Sequence, residues 1–343
     1  MRASTVAYNR NGVQKHRQLF EDPMQAITLS GNELQFQADR QAPDLQTGEV
    51  FVDISLAGIC ETDLQLIQGY MGFSGVLGHE FVGVARSGQF ADQRVVGEIN
   101  CSCHQCDTCQ AGRPTHCPNR TVIGIDRHDG AFATTLAVPE RNLHRVPDQI
   151  SDRQAVFAEP LAAAFEITEQ VTVTPNDRVA VLGDGRLALM CSQVLANCSG
   201  NVTVFGKHAA KLRRFTERGV STEALQGTLP SNVPANAFDL VVDCTGSTTG
   251  LPMALQMVRP RGTVIMKTTV AGHHEQSLAA IVIDEINLLG SRCGPFDQAL
   301  DAIAKGHINL DDLITDSFAL SDYQAAFEAA KHADSFKVIF EIA

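Results

Sequence analysis

From Met24 onward, apolar and polar residues alternate in short runs, and from about residue 150 the period lengthens to that of helices. MQAITLSGNELQF has the two-residue period of a strand on either side of a Ser-Gly-Asn break, which predicts a hairpin. EVFVDISLAGIC, SGVLGHEFVGVARS and DQRVVGEINC continue as short strands punctuated by Gly and Asp, the pattern of a β-rich, barrel-like domain. SDRQAVFAEPLAAAFEITEQV then places apolar residues at helical spacing behind Ser151, a suitable N-cap, and predicts one continuous helix. Beyond it, apolar runs at 178–182, 201–205, 239–243, 262–266 and 287–290 alternate with helical stretches, and that alternation predicts a parallel sheet. Two more helices (PFDQALDAIAKG, LSDYQAAFEAAKH) precede a last strand, FKVIFEI, which needs a partner sheet. The fold class is therefore α/β, a β-rich part joined to a doubly wound parallel sheet.

The first strand of that sheet runs into chemistry. RVAVLGDGRLALMC carries Gly183, Gly185 and Ala188 as G-x-G-x-x-A between a strand and a helix. The first glycine permits the tight turn, the second lets a pyrophosphate approach the backbone, and the small third residue lets helix and strand pack closely. Phosphates would rest on the helix N-terminus, where free N–H groups favour an anion. After the next strand, NVTVF, NAD-binding sites place an acid against the ribose 2′-hydroxyl. Here Gly206, Lys207 and His208 stand instead. No acid repels a 2′-phosphate and a lysine attracts it, so the expected cofactor is NADP(H) rather than NAD(H).

CSCHQCDTCQAGRPTHC concentrates five of the ten cysteines of the 343-residue chain. Cys103, Cys106, Cys109 and Cys117 have C-x2-C-x2-C-x7-C spacing, which lets one loop wrap four thiolates around a zinc ion and leaves Cys101 over. Four thiolates close the shell of the metal, so this zinc would serve folding. A redox dithiol would open a helix after a strand, whereas Gly112, Pro114 and Pro118 mark a loop. A chain of this length has material for a core without disulfides. Neither a signal-peptide pattern in the first twenty-three residues nor a run of roughly 20 apolar residues is visible, and cytoplasmic residence without a membrane partner is expected. A formal charge of −12 argues against nucleic acid as partner.

GICETDLQ, GHEFVG and AEPLA supply the remaining candidates: Cys60 a soft thiolate, His79 an imidazole, Glu159 a carboxylate, a set that would hold zinc with one position open. Cys60 with Thr62 and Asp63, the Gly78-His79-Glu80 triplet, the four-cysteine loop, Glu159-Pro160 and the glycine turn come in the order found in the zinc-dependent medium-chain alcohol dehydrogenase family, and the chain resembles that family from residue 24 to its end. The resemblance implies a GroES-like catalytic domain (24–163 and 293–343) around a Rossmann domain (164–292), with residues 1–23 as an extension and the active site in the cleft. It implies two zinc ions, one structural and one catalytic. Cys60 and His79 would be ligands of the catalytic zinc, with Glu159 third, as in the polyol, threonine and glucose dehydrogenase branches. Glu80 would support the site or exchange onto the metal. Asp63 would orient His79, Thr62 would bond the substrate oxygen and start the proton path, and Thr245 would lie at the nicotinamide ribose.

Gln65 stands where the family often has a proton-passing histidine, and Glu61 where it has glycine or a basic residue. An amide does not pass protons at accessible pH, so release must take another route. The expected activity is hydride transfer between NADP(H) and a small alcohol, polyol or sugar or the matching carbonyl, in a homo-dimer or tetramer. The alternatives are a non-catalytic zinc- and nucleotide-binding protein on the same fold, an NAD-dependent polyol or threonine dehydrogenase, and a zinc-independent quinone or enoyl reductase, a branch that lacks the ligands.

Overall fold

The computed structural model describes residues 23–226, 233–269 and 276–342; the expected extension lies almost wholly outside them. Met24–Ser30 and Glu33–Arg40 form the expected hairpin, joined by the short strand Gly75–Val76. A larger sheet follows the order Leu143–Arg145, Arg94–Gly97, Glu80–Ala85, Glu49–Gly58, Lys337–Glu341, Ile314–Phe318, with Thr135–Pro139 also on Glu49–Gly58. The last strand thus finds its partner almost three hundred residues earlier, at Glu49–Gly58. Its apolar face, Val338 and Phe340, packs with Phe132 and Phe327 in one core whose rings meet edge to face.

Residues 179–290 build the second body. Six parallel strands lie in the order Ser221–Ala224, Val202–Gly206, Val179–Leu182, Phe238–Asp243, Val258–Met266, Asn287–Gly290. In sequence terms this is 3-2-1-4-5-6, the doubly wound order whose ligands bind where the winding reverses, between Val179–Leu182 and Phe238–Asp243. The five predicted strands are present. Ser221–Ala224 is an addition, an edge strand of polar, largely exposed residues with no apolar run to announce it.

The single helix expected behind Ser151 is two. Ser151 caps Asp152–Ala155 through a capping box with Gln154, and a second helix, Ala158–Gln170, starts after Phe157. Pro160 is the cause: it has no N–H for the carbonyl of Val156, so it is accommodated only in the first turn of a new helix. This second helix bridges the bodies. Leu161 and Ala162 share one core with Leu56 and Val82 on one side and Val181 and Leu189 on the other. Buried Lys267 closes the junction, its ammonium donating to the Ala163 carbonyl, the Ser291 hydroxyl at 3.0 Å and the Arg292 carbonyl at 3.1 Å. Among the described residues no helix is long and apolar enough to cross a membrane.

Candidate functional site

Strand Glu49–Gly58 delivers Cys60 to the first turn of helix Glu61–Ile67. Cys60 N–H donates to Asp63 Oδ2 at 2.8 Å, so the acid that closes this turn is also fixed beneath the thiol. From the neighbouring strand come buried His79 and Glu80. Sulfur, imidazole nitrogen and carboxylate oxygen of Cys60, His79 and Glu80 all lie within 4.8 Å of one another. Asp63, buried, sets Oδ1 3.4 Å from His79 Nδ1 and leaves the other ring nitrogen for a ligand. Glu80 pairs with Lys337, whose ammonium is fully buried and also lies over the Phe157 ring.

Charge runs high in this small volume. Burial opposes ionisation of Cys60, yet His79 and Arg186 bring its thiol down to about 6. Burial works against a charged His79 as well, and Asp63 and Cys60 raise it well above the usual imidazole value. Burial lowers Lys337 to about 8. Glu159, at the start of helix Ala158–Gln170, is raised to about 7 by burial, with His79 and Lys267 opposing. It is thus electrostatically part of the site, but it is not in the 4.8 Å group, where Glu80 stands instead. A soft thiolate, an imidazole with its second nitrogen on a carboxylate, and nearby carboxyls form a donor set that fits zinc.

Thr62 Oγ1 is 3.9 Å from Cys60 Sγ, beside the same opening. Gln65 donates to Glu61 across one helical turn at 3.0 Å, so the two residues that depart from the family pattern hold one another on the exposed face of the helix. Arg186 opens helix Arg186–Ala196 in the other body, and its charge helps to lower the Cys60 thiol. Nothing in the glycine pattern marked Arg186, Lys267 or Lys337; each was legible only as an ordinary cation.

The cysteine loop is equally well formed. Cys103, Cys106, Cys109 and Cys117 converge, with sulfur separations of 3.5 Å (106 to 109), 3.8 Å (106 to 117) and 3.4 Å (103 to 117). A tetrahedron of thiolates around zinc at about 2.3 Å has edges of about 3.8 Å. These separations fit such a site and are far from a disulfide, and every cysteine is free. Backbone N–H groups of Gln105 and Cys106 lower Cys103 to about 6, while burial and the neighbouring thiols push Cys109 up to about 12. Four thiols cannot all ionise here without a cation among them. Cys101 lies apart, in strand Asn100–Cys101.

At the glycine turn, Gly183 has φ +113° and a Cβ there would meet the Cys244 carbonyl at 2.8 Å, whereas the space over Gly185 is open. Ala188 is buried against the sheet. Thr245 donates its hydroxyl to Asp243 at 2.7 Å and accepts from Ser247 N–H, so its oxygen shapes the turn at the strand end. Gly206 ends the second strand, with exposed Lys207 and His208 following. These three residues stand as expected, and the side chain of Asp184, from between the two turn glycines, reaches across and accepts the Lys207 and His208 N–H groups. Sequence spacing alone could not show that position 184 and the end of the next strand share one pocket.

Comparison with known proteins agrees with this fold. Residues 46–148 match the alcohol dehydrogenase GroES-like domain. A probable D-xylulose reductase A of Aspergillus fumigatus is 27% identical over 336 residues, covering 88% of this chain and 92% of that protein. Among solved structures, the Escherichia coli CFT073 alcohol dehydrogenase RspB complexed with NADH superposes with TM-score 0.85 at 27% identity, covering 94% of this chain and 100% of the other. A zinc-binding dehydrogenase of Sinorhizobium meliloti bound to NADP gives 0.82 at 26% identity, over 93% of this chain and 99% of that one. A GroES-like β domain joined to a doubly wound parallel sheet, with relatives of the same construction along nearly the whole described length, makes the chain an alcohol dehydrogenase-like oxidoreductase that is similar throughout to the medium-chain alcohol dehydrogenases/reductases.

Proposed function

We propose that this oxidoreductase is zinc-dependent and interconverts a small polyol or related alcohol with its ketone or aldehyde. The observation that carries the proposal is the cluster of half-buried Cys60 with buried His79 and Glu80, backed by Asp63. Cys60, His79 and Glu159 would hold the metal, Glu80 being paired with Lys337. Zinc bound there would supply a Lewis acid for the substrate oxygen, and a nicotinamide dinucleotide on the second body would supply or accept hydride. Asp63 keeps the His79 ring oriented and its Nδ1 occupied. Thr62 presents a hydroxyl that can accept the alcohol proton and pass it on. Gln65 is held by Glu61 and its amide does not relay protons, so a proton leaving Thr62 would have to bypass it.

A polyol is favoured over a simple alcohol because the A. fumigatus relative is named for a ketose reductase activity on the scale of a five-carbon sugar. Gly183, Gly185 and Ala188 are read as the pyrophosphate seat and Thr245 as a wall of the nicotinamide ribose pocket. The four-cysteine loop is read as the structural zinc site. A second copy of the chain would cover Leu278, Val282, Ile283 and Leu288, large apolar residues exposed on and beside the edge strand Asn287–Gly290. The deciding experiment is zinc analysis of protein purified without chelator, followed by assay of a polyol, ketose and aldehyde panel with each nicotinamide cofactor. Full activity in protein shown to lack zinc at Cys60 would exclude the proposal; no activity on any member, with zinc present, would favour the non-catalytic alternative.

A further inference from the structure

Asp184 Oδ2 accepts the backbone N–H of Lys207 at 2.7 Å and of His208 at 2.7 Å, and His208 Nδ1 lies 3.0 Å from the same oxygen and 3.2 Å from Oδ1. Burial opposes its charge, yet these donors from His208 and Lys207 keep the carboxyl below the ordinary range. Gly206 is part of the arrangement. A Cβ there would come 2.6 Å from Asp184 Cβ and 2.8 Å from Oδ2, so the second strand ends in glycine because another residue's side chain fills that space. Asp184 is 12% exposed as a side chain, so it is largely enclosed but retains some open surface.

The end of the second strand is where a dinucleotide's adenosine ribose rests when its pyrophosphate sits on the first turn. We propose, resting on the dinucleotide reading above, that Asp184 is the residue that selects the cofactor: its carboxylate stands in for the acid that other such sites carry on the strand itself, accepts the ribose 2′-hydroxyl, repels a 2′-phosphate, and makes this a site for NAD(H). A carboxylate offers about four lone-pair positions, and the backbone donors converge on Oδ2, which leaves capacity at Oδ1. The Lys207 backbone N–H is held by Asp184 while its side chain is exposed, so a phosphate drawn to Lys207 would also meet the Asp184 charge. The preference expected from Gly206 and Lys207 alone is thereby reversed, and replacing Gly206 by aspartate would collide with Asp184 rather than install an acid.

Binding of NADH and NADPH to the purified protein by titration calorimetry tests this without reference to turnover, with adenosine 2′-phosphate and adenosine 5′-phosphate as competitors. The wild type should bind NADH at least about tenfold more tightly than NADPH, and Asp184→Asn should narrow that ratio about tenfold, chiefly by improving NADPH. Lys207→Ser should move the ratio by less than about threefold. Wild-type protein that binds NADPH as tightly as NADH, or better, would overturn the proposal. So would a ratio that is unchanged in Asp184→Asn but altered in Lys207→Ser. If Asp184→Asn does not fold, the wild-type ratio and the Lys207→Ser ratio still decide by the same criteria. Failure to bind either nucleotide would instead overturn the dinucleotide reading on which this rests.

Discussion

The cysteine loop and the Cys60 site draw on the same ligand chemistry and are built in opposite ways. In the loop, all four thiols come from residues 103–117, with a one-turn helix at Asp107–Gln110 and a 3-10 turn at Pro114–His116 bringing them together. Its shell is complete within one segment. The Cys60 site takes Cys60 from a helix start, His79 and Glu80 from the next strand, Glu159 from the bridging helix and Lys337 from the final strand. A closed set of identical ligands can only hold a metal, whereas a mixed set that leaves one position open can also act on a substrate. The difference teaches that the four-cysteine cluster depends on one loop and the Cys60 cluster on the whole fold.

The largest effect should come from breaking the open site. Cys60→Ser should lower turnover by more than about a hundredfold, beyond what loss of a supporting partner costs in such sites. NADH binding should stay within about threefold of wild type, because the nucleotide turn belongs to the other body. Near-normal turnover with zinc absent from that site would end the zinc reading.

Next comes the mirror experiment. Cys106→Ser should lower the unfolding midpoint by more than about 10 °C and reduce soluble yield, since metal affinity in such loops is folding free energy. Folded enzyme that survives should keep kcat within about threefold. A stable Cys106→Ser protein with unchanged midpoint would dissolve the distinction between the two clusters. Chelation sharpens it further: with two zinc ions at the start, one should leave under native conditions and the other only on unfolding.

A smaller change should follow at the supporting residue of the open site. Asp63→Asn keeps an acceptor for Cys60 N–H but removes the charge next to His79, and activity should fall about 10- to 100-fold with zinc partly retained. Equal losses in Asp63→Asn and Cys60→Ser would mean that Asp63 acts as more than an orienting group.

The smallest concerns the contact between strand Leu143–Arg145 and helix Phe296–Ala304. His144 is placed between Glu98 at 3.2 Å and Asp297 at 2.8 Å and stacks on Phe296, so although burial opposes its charge, the two acids raise its pKa. The protonated form is favoured in the folded state. Its contribution is therefore full below the usual histidine value and fades as pH rises through the raised one, about 0.5–1 kcal/mol for such partly exposed pairs. His144→Gln should remove that slope from stability measured by denaturant above pH 6.5, leaving turnover unchanged. A slope that persists in the variant would assign it to another group.

Much of this was written in the chain itself. The strand and helix periods at 178–290 define the parallel sheet because buried parallel strands are short continuous apolar runs, which need no knowledge of their neighbours. The thiol spacing marked the four-cysteine cluster for the same reason: all four thiols lie in one stretch. Tertiary structure decided what distant segments do to one another. Lys337 under Glu80, Lys267 across the Ala163 and Arg292 crossings, and Arg186 opposite Cys60 are unremarkable cations in the sequence and become buried or site-facing only when separate elements meet. The break at Phe157 sits between these cases, since Pro160 announced it but helical periodicity runs through it. Asp184 shows the limit most plainly: glycines at 183 and 185 could be read from their spacing, but a charge is felt through space, and the acid that faces the second strand's end lies on the preceding turn, twenty-three positions before the backbone it caps.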